Sequence, residues 1–265
     1  MMPGVRLLVT LVATLSLLAI AGSHAAPPGP TTPSACKEAR FEGDGFVVCR
    51  YDPAADSLRL VRRGPDGTPG SLPELRIALG DDAERVAFAM NAGMYDPDRN
   101  PVGLWIEAAR QGHALNQADG RGNFFLKPNG VFWLGLDGAP HVDETSAFAA
   151  LTVTPAWATQ SGPLLVSKGR LHPAIDANGA SLAIRNGVGV RAGQAVFAVS
   201  EGRVSFGRFA RFLHDELGCD DVLYLDGAVS SLWSPELGRL DGRTGLGTFV
   251  VVLRNPSPAP SSAEK

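Results

Sequence analysis

Residues 195–231 read AVFAVSEGRVSFGRFARFLHDELGCDDVLYLDGAVSS. The apolar run 195–200 stops at Glu201-Gly202, a hairpin signal that predicts a return strand over 203–206. Phe206, Phe209, Leu213 and Leu217 then recur at spacings of three and four. Arg208, Arg211, Asp215 and Glu216 fall on the other faces, which predicts an amphipathic helix, with Gly218 as its C-cap. A second apolar run, 222–225, delivers Asp226 to a glycine turn that ends in Ser230 and Ser231. Working outward, short apolar runs between turn signals recur. They cover 46–49, 85–90, 102–108 and 248–253, and 131–136 turns at Asp137-Gly138 into 140–142. Residues 164–167 turn at Lys168-Gly169 into 170–172. A shorter helix is predicted over 72–79, with Pro73 in its first turn and Gly80 at its end. Many strands and few helices, without strict alternation, predict an α+β fold. Its sheet is mixed and largely antiparallel, with few flanking helices, in a single domain.

The composition agrees. The chain has 265 residues, 45% hydrophobic and 19% charged, enough for an ample core and too apolar for a disordered chain. Its 31 glycines and 20 prolines show no collagen period and fit a strand-and-turn architecture. The formal net charge is -3, and no basic run marks a nucleic-acid surface, so nucleic acid is not an expected partner.

The first residues have a pattern of their own. One positive charge precedes the apolar run 7–21, and Ser23-His24-Ala25 places small residues where a signal peptidase reads. The run is shorter than the ~20 residues that span a bilayer. We read 1–25 as a cleaved signal peptide, 26–35 as a Pro-rich linker, 36–254 as the folded domain and 255–265 as a disordered tail. A periplasmic or secreted protein without a stable membrane span is expected. Cys36, Cys49 and Cys219 then allow one structural disulfide. Cys49–Cys219 is favoured, tying an early strand to the segment before Asp226, although Cys36–Cys49 is also within easy reach.

No GxxxxGK[ST], HExxH, GxSxG or SxxK motif occurs, and the histidines share no zinc-like spacing. Asp96-Pro97-Asp98-Arg99-Asn100 opens like a calcium loop, but Pro101 stands where such a loop needs glycine, so a turn is the better reading. No metal ligand set or cofactor is indicated. What remains are polar clusters at the ends of apolar runs: Asn91–Tyr95, 123–130, 160–163, 185–189 and 224–231. Each alone reads as turn chemistry. Five in one domain point to one concave site that collects them. Asp226 is the sharpest case, since a carboxylate on such a turn binds sugar hydroxyls or acts as acid, base or nucleophile.

NAGMY (91–95), PVGLWIE (101–107), GNFFLKPNGVF (122–132), TQSGPLLV (159–166), RNGVGV (185–190) and YLDGAVSS (224–231) occur in order across the domain. In these motifs the chain resembles the phosphodiester glycosidase family, and its exported bacterial branch in particular. One departure stands out. The family's pattern after the aspartate is LDGGGSS, and here Ala228 and Val229 replace two glycines, which bears on how closely substrate approaches the backbone. The resemblance implies an exported glycosidase that hydrolyses a sugar 1-phosphodiester in a glycan or glycoconjugate and releases the sugar. Asp226 is the first catalytic candidate and Glu107 the second carboxylate. Arg185 is assigned to bidentate phosphate recognition and Lys127 to a point charge. Asn91, Asn129, Gln160, Ser161, Asn186, Gly227 and Ser230 are the expected substrate-binding positions. Two alternatives stay open: a carbohydrate-binding protein without activity, and a phosphodiesterase that cleaves P–O.

Overall fold

A computed structural model describes residues 1, 34–62 and 70–256. The expected signal peptide, most of the linker and most of the C-terminal tail lie outside the described residues. The chain divides into two units, 1–33 and 34–265. The second holds three sheets.

The largest sheet has seven strands. Their order is β1 (Cys36–Phe41), β2 (Asp44–Tyr51), β13 (Gln194–Ser200), β12 (Asn186–Arg191), β14 (Asp221–Tyr224), β10 (Leu164–Ser167) and β11 (Arg170–Leu171). A second sheet runs β16 (Arg239–Leu240), β15 (Leu232–Ser234), β4 (Val86–Asn91), β17 (Thr248–Arg254) and β3 (Asp56–Arg62). The third runs β6 (Arg110–His113), β5 (Trp105–Glu107), β9 (Trp157–Ser161), β7 (Gly130–Leu134) and β8 (Pro140–Glu144). Pairing of these strands is antiparallel throughout, in keeping with the α+β reading.

The central core lies between the sheets. Phe197 of the first sheet meets Phe88 of the second at 5.4 Å and Phe132 of the third at 5.5 Å between ring centroids. Side chains alternate along a strand, so the runs that looked uniformly apolar serve two cores. In β13, Phe197 and Val199 face the centre while Val196 and Ala198 face outward, toward α3 (Phe206–Arg211), which α2 (Thr145–Ala149) precedes in the chain. In β17, Val250 and Val252 face the centre while Phe249 and Val251 pack with Leu72 and Leu75 of α1 (Leu72–Ala78).

Both predicted helices form. Ser71 caps α1 by accepting from Glu74 N at 3.2 Å. Ser205 caps α3 by accepting from Arg208 N at 3.1 Å. A π-helical turn, Phe212–Glu216, continues α3, and Gly218 ends it at φ 71°.

Two expectations need correction. Residues 203–206 form no return strand beside β13. Glu201 N donates to Gly45 O and Val204 makes an isolated bridge with Ala183, so the chain leaves the sheet and Ser205 starts the helix. The disulfide is Cys36–Cys49, and Cys219 is free and buried. Cys36 stands directly opposite Cys49 in the β1–β2 pair. Cys49 faces the central core and Cys219 the α3 side, so they lie on opposite faces of the sheet. β13 and β12 also separate their strands, a span of roughly 14 Å at ~4.8 Å per strand, beyond disulfide reach.

Candidate active site

β14 carries Leu223 toward the central core and Tyr224 toward α3, then ends, and Leu225 leads into Asp226. The chain turns there through a short 3₁₀ segment, Gly227–Val229. Three strands grip the backbone on either side of the aspartate. Leu225 N donates to Asn186 O at 3.1 Å, and Leu225 O accepts from Ser161 Oγ at 3.2 Å. Asp226 O accepts from Asn91 Nδ2 at 2.8 Å, and Gly227 N donates to Tyr224 Oη at 3.0 Å. Asn91 Oδ1 also accepts from Ser231 N at 2.9 Å and from Asn186 Nδ2 at 3.0 Å, so one amide clasps both ends of the turn. Ser230 Oγ and Ser231 Oγ donate back to Gly227 O and Val229 O, each at 2.9 Å.

Gly227 is required by close approach rather than by a left-handed backbone. A Cβ there would collide with Tyr224 Oη and sit 2.7 Å from Ile184 O. Ala228 and Val229 do not prevent the turn: Ala228 is exposed, and Val229 packs against the core cluster that holds Leu72, Trp233 and Phe249.

Burial pushes the Asp226 carboxyl above its ordinary range, while the Ala228 N–H and Arg243 pull it partly back. Tyr95 feels the same carboxylate: burial first, then Asp226, raise its phenol to about 12, and Arg243 opposes this. Arg243 belongs to the glycine-rich segment 241–247, DGRTGLG, which borders the aspartate turn. Asp241 Oδ2 accepts from Leu232 N at 2.9 Å, Gly245 O from Tyr95 Oη at 3.0 Å, and Gly70 O from Leu246 N at 2.8 Å. Arg243 itself is exposed and forms no ion pair within 4 Å among the described residues.

The structure therefore gathers Asp226, Asn91, Ser161, Asn186, Gly227 and Ser230. Asn91, Ser161 and Asn186 are completely buried, so they hold the turn from beneath. The other candidates lie elsewhere. Arg185 is 2% exposed beneath the turn, with Nε on Val204 O at 2.9 Å and Nη2 on Ser181 O at 2.8 Å. Its hydrogen bonds are internal, so the expected phosphate grip is not available in this arrangement. Glu107 accepts from Trp105 Nε1 at 2.7 Å. Trp105 pairs with Thr159, so Glu107 lies four residues beyond the level of Ser161, roughly 13 Å at ~3.3 Å per residue. Gln160 braces loops, accepting from Leu104 N and Asn116 N at 2.9 Å each. Lys127 pairs with Asp119 at 2.6 Å and, with Asn129, lines a separate cavity of about 110 Å³. The Asp96 segment is a turn, with Asn100 N on Asp96 Oδ1 at 2.8 Å. No cluster of three or more His, Cys, Asp or Glu suited to a metal occurs among the described residues.

Two larger grooves, of about 410 and 520 Å³, share Arg76, Ala83, Glu84 and Leu240. Trp233, which lines the first, packs on the opposite face of β15 from Leu232, so size alone does not mark the aspartate site. Sequence reasoning placed Tyr95 and Tyr224 within its polar clusters without giving either a role, and missed Arg243. The available signal for Arg243 was a lone arginine in a glycine-rich run before a buried strand.

The family model for phosphodiester glycosidases matches residues 84–247. The chain belongs to this family. It is 41% identical over 185 residues to the uncharacterized protein YigE of Escherichia coli K12, covering 69% of this chain and 71% of YigE. Its fold is similar to that of the catalytic domain of zebrafish N-acetylglucosamine-1-phosphodiester alpha-N-acetylglucosaminidase, auto-inhibited by its pro-peptide. The TM-score there is 0.58, with 87% of each chain covered at 14% identity.

Proposed function

We propose that this chain hydrolyses a sugar 1-phosphodiester at the bond between the anomeric carbon and oxygen, with Asp226 as the base or nucleophile. The observation that carries this reading is a half-buried carboxylate on a turn gripped from several strands, with an unpaired arginine in its field. Among the described residues, the charged group that acts on the Asp226 carboxyl is Arg243 rather than a second carboxylate. Glycosidases acting on alcohol leaving groups use two carboxyl groups, one of them to protonate the departing oxygen. A phosphate ester departs without that proton once its charge is neutralised. One carboxylate and one guanidinium are the parts such a reaction needs. Arg243 takes the phosphate role in this reading, and Arg185 becomes part of the scaffold. The disulfide favours an oxidising compartment, and we place the protein in the periplasm or outside the cell. No helix among the described residues is long and apolar enough to cross a membrane.

The test uses an N-acetylglucosamine 1-phosphodiester in ¹⁸O-labelled water. The expected outcome is label in the released sugar, and loss of turnover by at least ~10²-fold in Asp226→Asn. Label in the phosphate would assign P–O cleavage instead. Binding without turnover would assign a carbohydrate-binding protein.

A further inference from the structure

Arg185 is a buried cation without an acid. No carboxylate lies within ion-pair distance of it among the described residues, and its residue exposure is 2%. Burying an unpaired guanidinium is costly unless its donors and its charge are met in other ways. Two carbonyls take donors, those of Val204 and Ser181. The face of Phe206 lies 3.5 Å from the guanidinium carbon, and the ring of Tyr224 lies 5.7 Å away. Phe206 and Tyr224 meet edge to face at 4.8 Å. The cation is thus stacked into an aromatic pair, an arrangement attractive in itself when desolvated.

The upper end of this stack is the hydroxyl that accepts from Gly227 N–H at 3.0 Å. Arg185 also acts on that phenol electrostatically, opposing the upward push that burial gives it. The peptide between Asp226 and Gly227 is therefore held at both polar ends, its carbonyl by Asn91 and its N–H by Tyr224. A side chain at Gly227 would strike the same hydroxyl, so the turn is fitted to the tyrosine.

We propose that Tyr224, seated on Arg185, is a positioning residue for Asp226: its hydroxyl fixes the orientation of the Asp226–Gly227 peptide and so the placement of the carboxylate. Arg185 acts one step further back, by anchoring the phenol. This rests on the reading of Asp226 as the reactive group for its catalytic consequence, but not for its structural one.

The test is Tyr224→Phe in the full chain, which keeps the ring and removes only the hydroxyl. Two readouts are taken. The first is the titration of the Asp226 carboxyl by ¹³C NMR. A loosened turn hydrates the carboxyl better, so its midpoint is expected to fall toward the ordinary carboxylate range at nearly unchanged Tm. The second is turnover of the sugar 1-phosphodiester, where kcat is expected to fall about 10- to 100-fold with KM within about twofold of the parent. Arg185→Lys, which keeps charge but loses the planar stacking face, is expected to move both in the same direction by less. An Asp226 titration identical to the parent's in Tyr224→Phe overturns the proposal. So does a kcat equal to the parent's where the parent is active. If the parent turns over no phosphodiester, the proposed reaction fails, and the titration still decides the positioning role.

Discussion

Burial holds Asp226 in its proton-bound form to a higher pH than an unfolded aspartate, and this has consequences for both rate and stability. For the rate, the carboxylate is the reactive form in the proposed reaction. The acidic limb of kcat/KM is therefore expected above the ordinary value of 3.8 and to disappear with Asp226→Asn. For stability, the folded pKa is raised, so the folded state binds more protons. The contribution of Asp226 is fully present below its unfolded pKa and is lost as pH rises through the folded one. Asp226→Asn should thus melt above the parent at neutral pH, with the gap closing as pH falls below about 4. Thermal unfolding across that range checks it, and a variant that melts below the parent at pH 7 would contradict it. At the same scale, Arg243→Ala is expected to slow hydrolysis of a sugar 1-phosphodiester while leaving hydrolysis or binding of a neutral aryl glycoside unchanged. Equal losses on both would deny it the phosphate role.

At the scale of elements, the β1–β2 hairpin shows how register decides covalent structure. Cys36 and Cys49 are 13 residues apart in sequence and opposite one another in the pair. Closing a loop of that length stabilises by about 2–4 kcal/mol through the unfolded chain. Replacing both cysteines by serine should lower unfolding free energy by about that amount, measured by denaturant titration under oxidising conditions, with no change in turnover. Labelling of unfolded, unreduced parent should find one free thiol, and it should map to Cys219. Burial raises that thiol to about 11, so it should react slowly in the native state. α3 was legible for an ordinary reason: its apolar positions follow the helical period and Gly218 marks the end of the helical run, whereas its start at Ser205 was hidden by the strand expected over 203–206. The missing strand at 203–206 was not legible. A glycine turn after an apolar run signals a hairpin, yet the edge of β13 that a hairpin strand would need is already paired with β2. Neighbours far away in sequence had taken the place.

At the scale of the whole molecule, Phe197 is where the three sheets meet, touching Phe88 and Phe132. Phe197→Ala should cost about 3–5 kcal/mol, since the surrounding strands are fixed on both sides and cannot collapse into the cavity. A loss within about 1 kcal/mol, by chemical denaturation, would mean that the central core closes around the gap.

What the sequence by itself determined is local: the more apolar strands, the two helices, the largely antiparallel class, and the polar segments at the strand ends. Those follow from periodicity and turn chemistry, which act between near neighbours. Asp226 was legible because a charged residue after an apolar strand and before a glycine is a local contradiction that a fold must resolve. Only the tertiary structure decided what each polar residue does. Asn91 and Asn186 carry the same amide chemistry whether they face solvent or hold a turn, and it is the meeting of β4, β12 and β14 that buries them. Arg185 is buried with internal partners, and the arginine that acts on the Asp226 carboxyl is Arg243, for the same reason. Burial and partner choice are set by strands far apart in sequence, so residue type alone could not assign them.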